Sequence, residues 1–133
     1  GADAMKLMNL RLGCNDLDKA RAFYDATFGE LGVQRAEMPP EYPIAMYKLP
    51  GGPNFAVGPA RDGQPATHAN GGTILFGADS EEQVAAWHAA GLANGGSCEG
   101  QPEPKPQAPG SYGAYLRDPD GNKLAAFYNL NIG

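Results

Sequence analysis

Positive charge is scarce in this sequence: Lys and Arg total 10 against 15 Asp and Glu, for a formal charge of -5, and no basic run occurs anywhere. That balance argues against nucleic acid and anionic membrane surfaces as partners. Long apolar runs are missing too. No stretch approaches the ~18 residues of a membrane span, and no basic segment leads into an apolar one as in an export leader. The chain reads as soluble and unexported. Gly1–Ala4, ahead of Met5, read as an expression remnant and count toward neither module described below. Cysteine is limited to Cys14 and Cys98, which lack the spacing of a zinc site and are too few for a secreted disulfide framework. A cytoplasmic, reducing location is expected. Leu, Ile, Val and Phe make up only 22 of 133 residues, but the net charge is modest and Ala and Tyr add apolar bulk. The composition is that of a globular chain, one compact domain or two small modules sharing a core. No dinucleotide fingerprint, P-loop or nucleophile elbow is present, so neither a nucleotide cofactor nor a serine nucleophile is suggested.

What is present is an internal repeat. At an offset of 64 residues, Asp16 falls on Ser80, Phe23 on Trp87, Tyr24 on His88, Phe28 on Leu92 and Gly32 on Gly96. Leu7, Leu10 and Leu12 predict a first strand. Asp16 then caps a helix whose apolar positions are Leu17, Ala20, Phe23, Tyr24, Phe28 and Leu31, ended by Gly29 and Gly32. In the second copy Ile74 and Phe76 predict a strand, Ser80 with Gln83 a capping box, and Val84, Trp87 and Leu92 a buried stripe stopped by Gly95-Gly96. Short strands are expected over 33–38, 43–49 and 54–58, and again over 96–100, 111–117 and 123–129. Each half is thus β-α-β-β-β: residues 5–58, a turn-rich linker over 59–71, and residues 72–130. The four prolines of 101–110 predict an extended, stiff segment rather than a strand.

Three strings carry a resemblance: the run from Gly13 to Asp25 (GCNDLDKARAFYD), the Gly71–Phe76 strand (GGTILF), and Tyr115–Leu124 (YLRDPDGNKL), whose Asp-Pro-Asp-Gly-Asn turn is the most specific element. Together they resemble the vicinal oxygen chelate superfamily, which holds glyoxalases, bleomycin-resistance proteins and extradiol dioxygenases, over nearly the whole chain from Met5. The resemblance implies an α+β fold in which two βαβββ modules curl a sheet around a shared cavity. It also implies four metal-ligand slots, which fall on Asn9 and Ala56 in the first half and Thr73 and Ala125 in the second. A carboxamide, a hydroxyl and two methyl groups do not make the nitrogen, sulfur or carboxylate set that a catalytic divalent ion needs. The expectation is a metal-free cavity with no cofactor.

Strand alternation extends this lining. Asn9 brings Arg11 and Gly13 with it, Ala56 brings Asn54 and Gly58, Thr73 brings Leu75, and Ala125 brings Lys123 and Phe127. Tyr47, Tyr112 and Tyr115 read either as core or as ligand-stacking surface. Arg11 is expected to meet either an internal acid, Glu99 or Glu103, or an anionic ligand. The ligand-binding set is therefore Asn9, Arg11, Tyr47, Asn54, Ala56, Thr73, Leu75, Tyr115, Ala125 and Phe127. His88 reads as a packing residue and His68 as a solvated loop residue near the cavity mouth. Cys14 reads as a small buried hydrophobe, and the acids of the Asp118–Asn122 turn as structural. The favoured function is binding of a small organic ligand, anionic or aromatic, by a homodimer. The alternative is a glyoxalase-like lyase with nonstandard or no metal ligation, using Arg11 or a tyrosine as its acid-base group.

Overall fold

Each half begins with a short strand that a polar residue turns into a helix. The computed structural model describes residues 5–132, so the expected remnant Gly1–Ala4 lies outside the described residues, as does Gly133. The first half runs β1 (Asn9–Gly13), α1 (Leu17–Glu30), β2 (Arg35–Ala36), β3 (Ala45–Lys48) and β4 (Asn54–Gly58). The second runs β5 (Ile74–Ala78), α2 (Glu81–Ala93), β6 (Ser97–Pro104), β7 (Tyr112–Arg117) and β8 (Lys123–Tyr128). Both caps form. The Asp16 carboxylate accepts from the Lys19 N–H at 3.1 Å, and Ser80 Oγ accepts from the Gln83 N–H at 3.1 Å, satisfying donors that a helix leaves free in its first turn. Gln83 returns a bond to the Asp79 N–H rather than to that of Ser80.

The sheets repeat as well. Strand orders are β1-β4-β3-β2 and β5-β8-β7-β6, with β1 parallel to β4 and β5 parallel to β8, and the two sheets are not closed into one. One face of each sheet packs on the helices in a core common to both halves. It holds Phe23, Tyr24 and Phe28 of α1, Tyr47, Phe55 and Val57 of the first sheet, Val84 and Trp87 of α2, and Leu116, Leu124 and Ala126 of the second sheet. Phe76 of β5 joins the halves directly, its ring centroid 5.1 Å from that of Phe28 and 5.9 Å from that of Phe55.

Several local expectations need correction. Strand β1 begins only at Asn9, and Leu7 is left 62% exposed. Leu92 is 44% exposed, and its expected place in the buried stripe is taken by His88 and Gly91. Residues 84, 87, 88 and 91 form the one-sided set of a helix, and position 92 has rotated off it. Gly91 is buried because the chains approach closely there: a Cβ would stand 2.4 Å from Leu116 Cδ1. The first proline-rich residues are strand after all, since β6 runs through Pro102 to Pro104. It can do so because it is an edge strand interrupted by irregularities between Cys98 and Glu103, where a missing N–H breaks no essential ladder bond.

The Asp118–Asn122 turn locks the halves together. Gly121 takes φ 92° there, which a side chain would strain. The buried Asp118 carboxylate accepts from the backbone N–H groups of Asp120 and Asn122, from Asn122 Nδ2, and from the Tyr24 hydroxyl of α1 at 2.5 Å. Asn122 Nδ2 also reaches the Gly13 carbonyl, and Asp120 accepts from the Asn15 N–H.

Two of the buried phenols face carboxylates. Tyr24 donates to Asp118, and Tyr47 donates to Asp25 at 2.7 Å. Burial first, and then those carboxylates, push both phenols above their usual 10, while burial and then Asp120 push the Cys14 thiol up to about 11. In all three cases the unfolded chain gives up its proton at lower pH than the folded one. Stability from these groups is therefore complete below the unfolded values and is lost as the pH rises beyond them. Urea midpoints are expected to hold to about pH 8.5 and then to fall steadily toward about pH 11. Combining Tyr24→Phe with Tyr47→Phe should flatten the upper part of that fall. A midpoint that stays level to about pH 11 would contradict the environment described for these groups.

Candidate ligand site

Strand pairing sorts the candidate residues by face. In the first sheet Asn9 lies beside Asn54, and Arg11 beside Ala56, which neighbours Met46 on its other side. In the second, Ala125 lies between Leu75 and Tyr115, and Phe127 between Gly77 and Gly113. The alternate residues of the same strands, among them Phe55, Val57, Leu124 and Ala126, fill the core. Asn9, Arg11, Asn54 and Ala56 thus share the face of the first sheet away from the helices, and Leu75, Tyr115, Ala125 and Phe127 share that face of the second. Thr73 precedes β5 by one residue, exposed. Tyr47 is on the other side: it pairs with Phe55, is fully buried, and is tied through its hydroxyl to Asp25.

Because α1 and α2 pack together and draw the helix-facing sides of both sheets into one core, the opposite faces are turned away from it. Two cavities illustrate where space opens in the chain. A groove of about 660 Å³ runs past Arg21, Asp25, Arg35 and Glu37, and a cleft of about 440 Å³ between the halves is lined by Phe28, Leu49, Leu75 and Phe76. Leu75 is the one candidate that reaches that cleft, and Arg11 borders a smaller hollow with Pro59 and Ala66.

Arg11 also departs from expectation. It is exposed, and its Nη2 donates to the Pro59 carbonyl at 2.6 Å. Neither expected acid reaches it: Glu99 pairs with Arg117, which holds the Glu99 carboxyl below its ordinary range, and Glu103 approaches Lys105. An arginine at the sheet margin finds a backbone acceptor and water, so no acid is needed inside.

The second sheet offers a more developed surface. Phe127 lies against Gly113, where a Cβ would come within 2.6 Å of its ring, and meets Tyr115 edge to face at 5.7 Å. Two ammonium groups flank Tyr115: Lys105 Nζ at 5.5 Å and Lys123 Nζ at 5.2 Å from the ring centroid. Lys105 is buried, its Nζ donating to the Gln101 carbonyl at 3.1 Å. That role is not legible in the sequence, because Lys105 stands among prolines and only the fold of the edge strand turns it onto Tyr115. His68 lies beside Gly121 and is exposed.

The four slots that the resemblance assigns to a divalent ion do not fit one. They hold Asn9, Ala56, Thr73 and Ala125, and both alanines are buried beneath their neighbours. Among the described residues no three His, Cys, Asp or Glu come together in an arrangement that could hold a metal ion.

With this architecture in view, the chain belongs to the Glyoxalase/Bleomycin resistance protein/Dioxygenase superfamily, whose family model matches residues 6–126. It is similar to a glyoxalase/bleomycin resistance protein from Albidiferax ferrireducens T118, at 42% identity over 92% of this chain and 98% of that one, with a TM-score of 0.83. It is also similar to a lactoylglutathione lyase from Agrobacterium tumefaciens, at 26% identity over 96% of each chain and a TM-score of 0.62. A glyoxalase-related enzyme from Fulvimarina pelagi shares the fold, at 22% identity over 95% of this chain and 89% of that one, with a TM-score of 0.76. A comparison with curated proteins finds no match. Among the described residues no helix is long and apolar enough to cross a membrane.

Proposed function

We propose that this chain binds a small planar or anionic organic molecule without a metal ion, as a homodimer in the cytoplasm. The observation that supports this reading is the donor set: the positions where the family places metal ligands carry two methyl groups, a hydroxyl and a carboxamide. The ligand class follows from the second sheet, where Tyr115 and Phe127 offer aromatic surface and Lys105 and Lys123 supply positive charge at its edge. An aromatic carboxylate satisfies both features. The homodimer reading rests on the outward-turned sheet faces, with Leu75 exposed on one and Leu7 beside the other, which a second copy would cover.

The similarity to a lactoylglutathione lyase favours a second reading, a glyoxalase-like lyase. One set of measurements separates them. After loading with Zn²⁺, Ni²⁺ or Mn²⁺ and desalting, the purified chain is expected to retain substoichiometric metal, and light scattering to give the mass of two chains. Benzoate titrated calorimetrically should bind, with Lys123→Met weakening it about tenfold, the scale of one charge-assisted hydrogen bond. Tightly held stoichiometric metal would overturn the metal-free reading in favour of the lyase.

A further inference from the structure

Cys98 and His88 stand together on the opposite side of the second sheet from the face just described. Cys98 pairs with Leu116 across the edge of the sheet, and Leu116 is wholly buried against Gly91 of α2. The thiol accordingly sits next to α2, with Sγ 3.2 Å from Nε2 of His88 and 3.4 Å from the amide nitrogen of Gln101, which donates to it. The two cysteines of the chain are in opposite circumstances. Cys98 is exposed, whereas Cys14 is 3% exposed and its thiol is pushed up to about 11.

His88 is the partner that gives Cys98 its chemistry. The ring is buried, and burial followed by the nearby Lys105 ammonium lowers its affinity for a proton. A neutral imidazole with its own proton on Nδ1 presents Nε2 as an acceptor toward the thiol. Of the charged groups near the pair, the Lys105 ammonium lies over the Tyr115 ring on the other face of the sheet, bonded to the Gln101 carbonyl and 3.5 Å from Glu103, and Glu99, next in sequence to Cys98, is engaged by Arg117 of β7. A thiol within hydrogen-bond reach of an unprotonated imidazole, open to solvent on an edge strand, is the arrangement that makes a sulfur nucleophilic.

We propose that Cys98 is a reactive thiol, activated by His88, that accepts small molecules through mixed-disulfide exchange. Its substrate class is the low-molecular-weight disulfide, R–S–S–R. The Cys98 proton passes to His88 Nε2 as Sγ attacks one sulfur of the disulfide. The new Sγ–S bond forms as the S–S bond breaks. The departing thiolate takes the proton back from His88 and leaves as R–SH. Cys98 is oxidised and the released sulfur is reduced, so no further oxidant is required.

The test uses the full chain and 4,4′-dithiodipyridine at pH 7, followed by absorbance, with the modified cysteine located by peptide mass mapping. One equivalent is expected to react quickly, all of it at Cys98, at a rate about tenfold above that of an unstructured peptide carrying the same flanking residues. Cys14 should react only when the chain is unfolded in urea. His88→Gln, checked for native fluorescence, is expected to bring the Cys98 rate down to that of the peptide. Because His88 is buried and its replacement can disturb packing, Gln101→Ala on the exposed strand provides a second variant, expected to slow the reaction by a smaller factor. A wild-type rate no faster than the peptide, prior modification of Cys14, or a folded His88→Gln protein that keeps the wild-type rate would overturn the proposal.

Discussion

Replacing Asp118 by alanine is expected to lower the unfolding free energy by about 3–5 kcal/mol, although the residue touches no candidate ligand position. The buried carboxylate accepts from four donors, two of them backbone N–H groups and one the hydroxyl of Tyr24 in the other half. Alanine would leave those donors buried without an acceptor, and such orphaned groups cost about 1–3 kcal/mol each before any relaxation. Water entering the turn recovers part of that, which is why the expected total is below the simple sum. The measurement is urea unfolding followed by the fluorescence of Trp87, the only tryptophan. Tyr24→Phe removes one donor and not the acceptor, so its expected loss is about 1 kcal/mol. Asp18→Ala, at a residue whose side chain is 94% exposed, serves as reference and should lose almost nothing. A loss for Asp118→Ala no larger than that of the reference would show that the turn is dispensable.

The same turn illustrates how much of this fold is legible in the sequence. The Asp-Pro-Asp-Gly-Asn string identifies itself because its chemistry is local: proline fixes one φ, glycine accepts a positive one, and the first Asp folds back on its own backbone. Helix starts at Asp16 and Ser80 are legible for the same reason, since each capping bond spans three residues. The face on which Asn9, Ala56 and Ala125 lie follows from strand alternation, and the observed pairing keeps that parity.

Long-range features were not legible. Tyr47 and Tyr115 look alike in sequence, yet one is tied to Asp25 in the core and the other is flanked by lysines on the outer face, a difference decided by strand register and by residues 22 and 10 positions away. Alternation puts Arg11 on the face opposite the helix, where a desolvated cavity lining was expected, but not at the exposed site it takes, because the Pro59 carbonyl it bonds arrives from the far end of a neighbouring strand. The Cys98–His88 contact joins a helix to an edge strand across a glycine turn, at a separation that no motif encodes. The direction in which the outer faces point has a larger cause still. Alternation says which residues share a face, and the direction in which that face points depends on how the two helices dock.

That docking also governs stability: Phe28→Ala is expected to cost about 3–5 kcal/mol and to leave unfolding a single transition. Phe28 is fully buried, with ring centroids at 4.9 Å from Tyr47, 5.1 Å from Phe55, 5.6 Å from Tyr24 and 5.1 Å from Phe76. The first three contacts lie within the first half and the fourth crosses to the second. Truncation removes the buried ring and leaves a void between two sheets whose strands cannot close over it without shifting the helices. If each half held its own core, the damage would stay in the first half, and calorimetry would resolve an early transition from an unchanged later one. Because one core serves both halves, the expected record is one endotherm moved to lower temperature, with an unchanged denaturant slope. Two separable transitions in Phe28→Ala would show that the repeat is also a boundary between independently folding units.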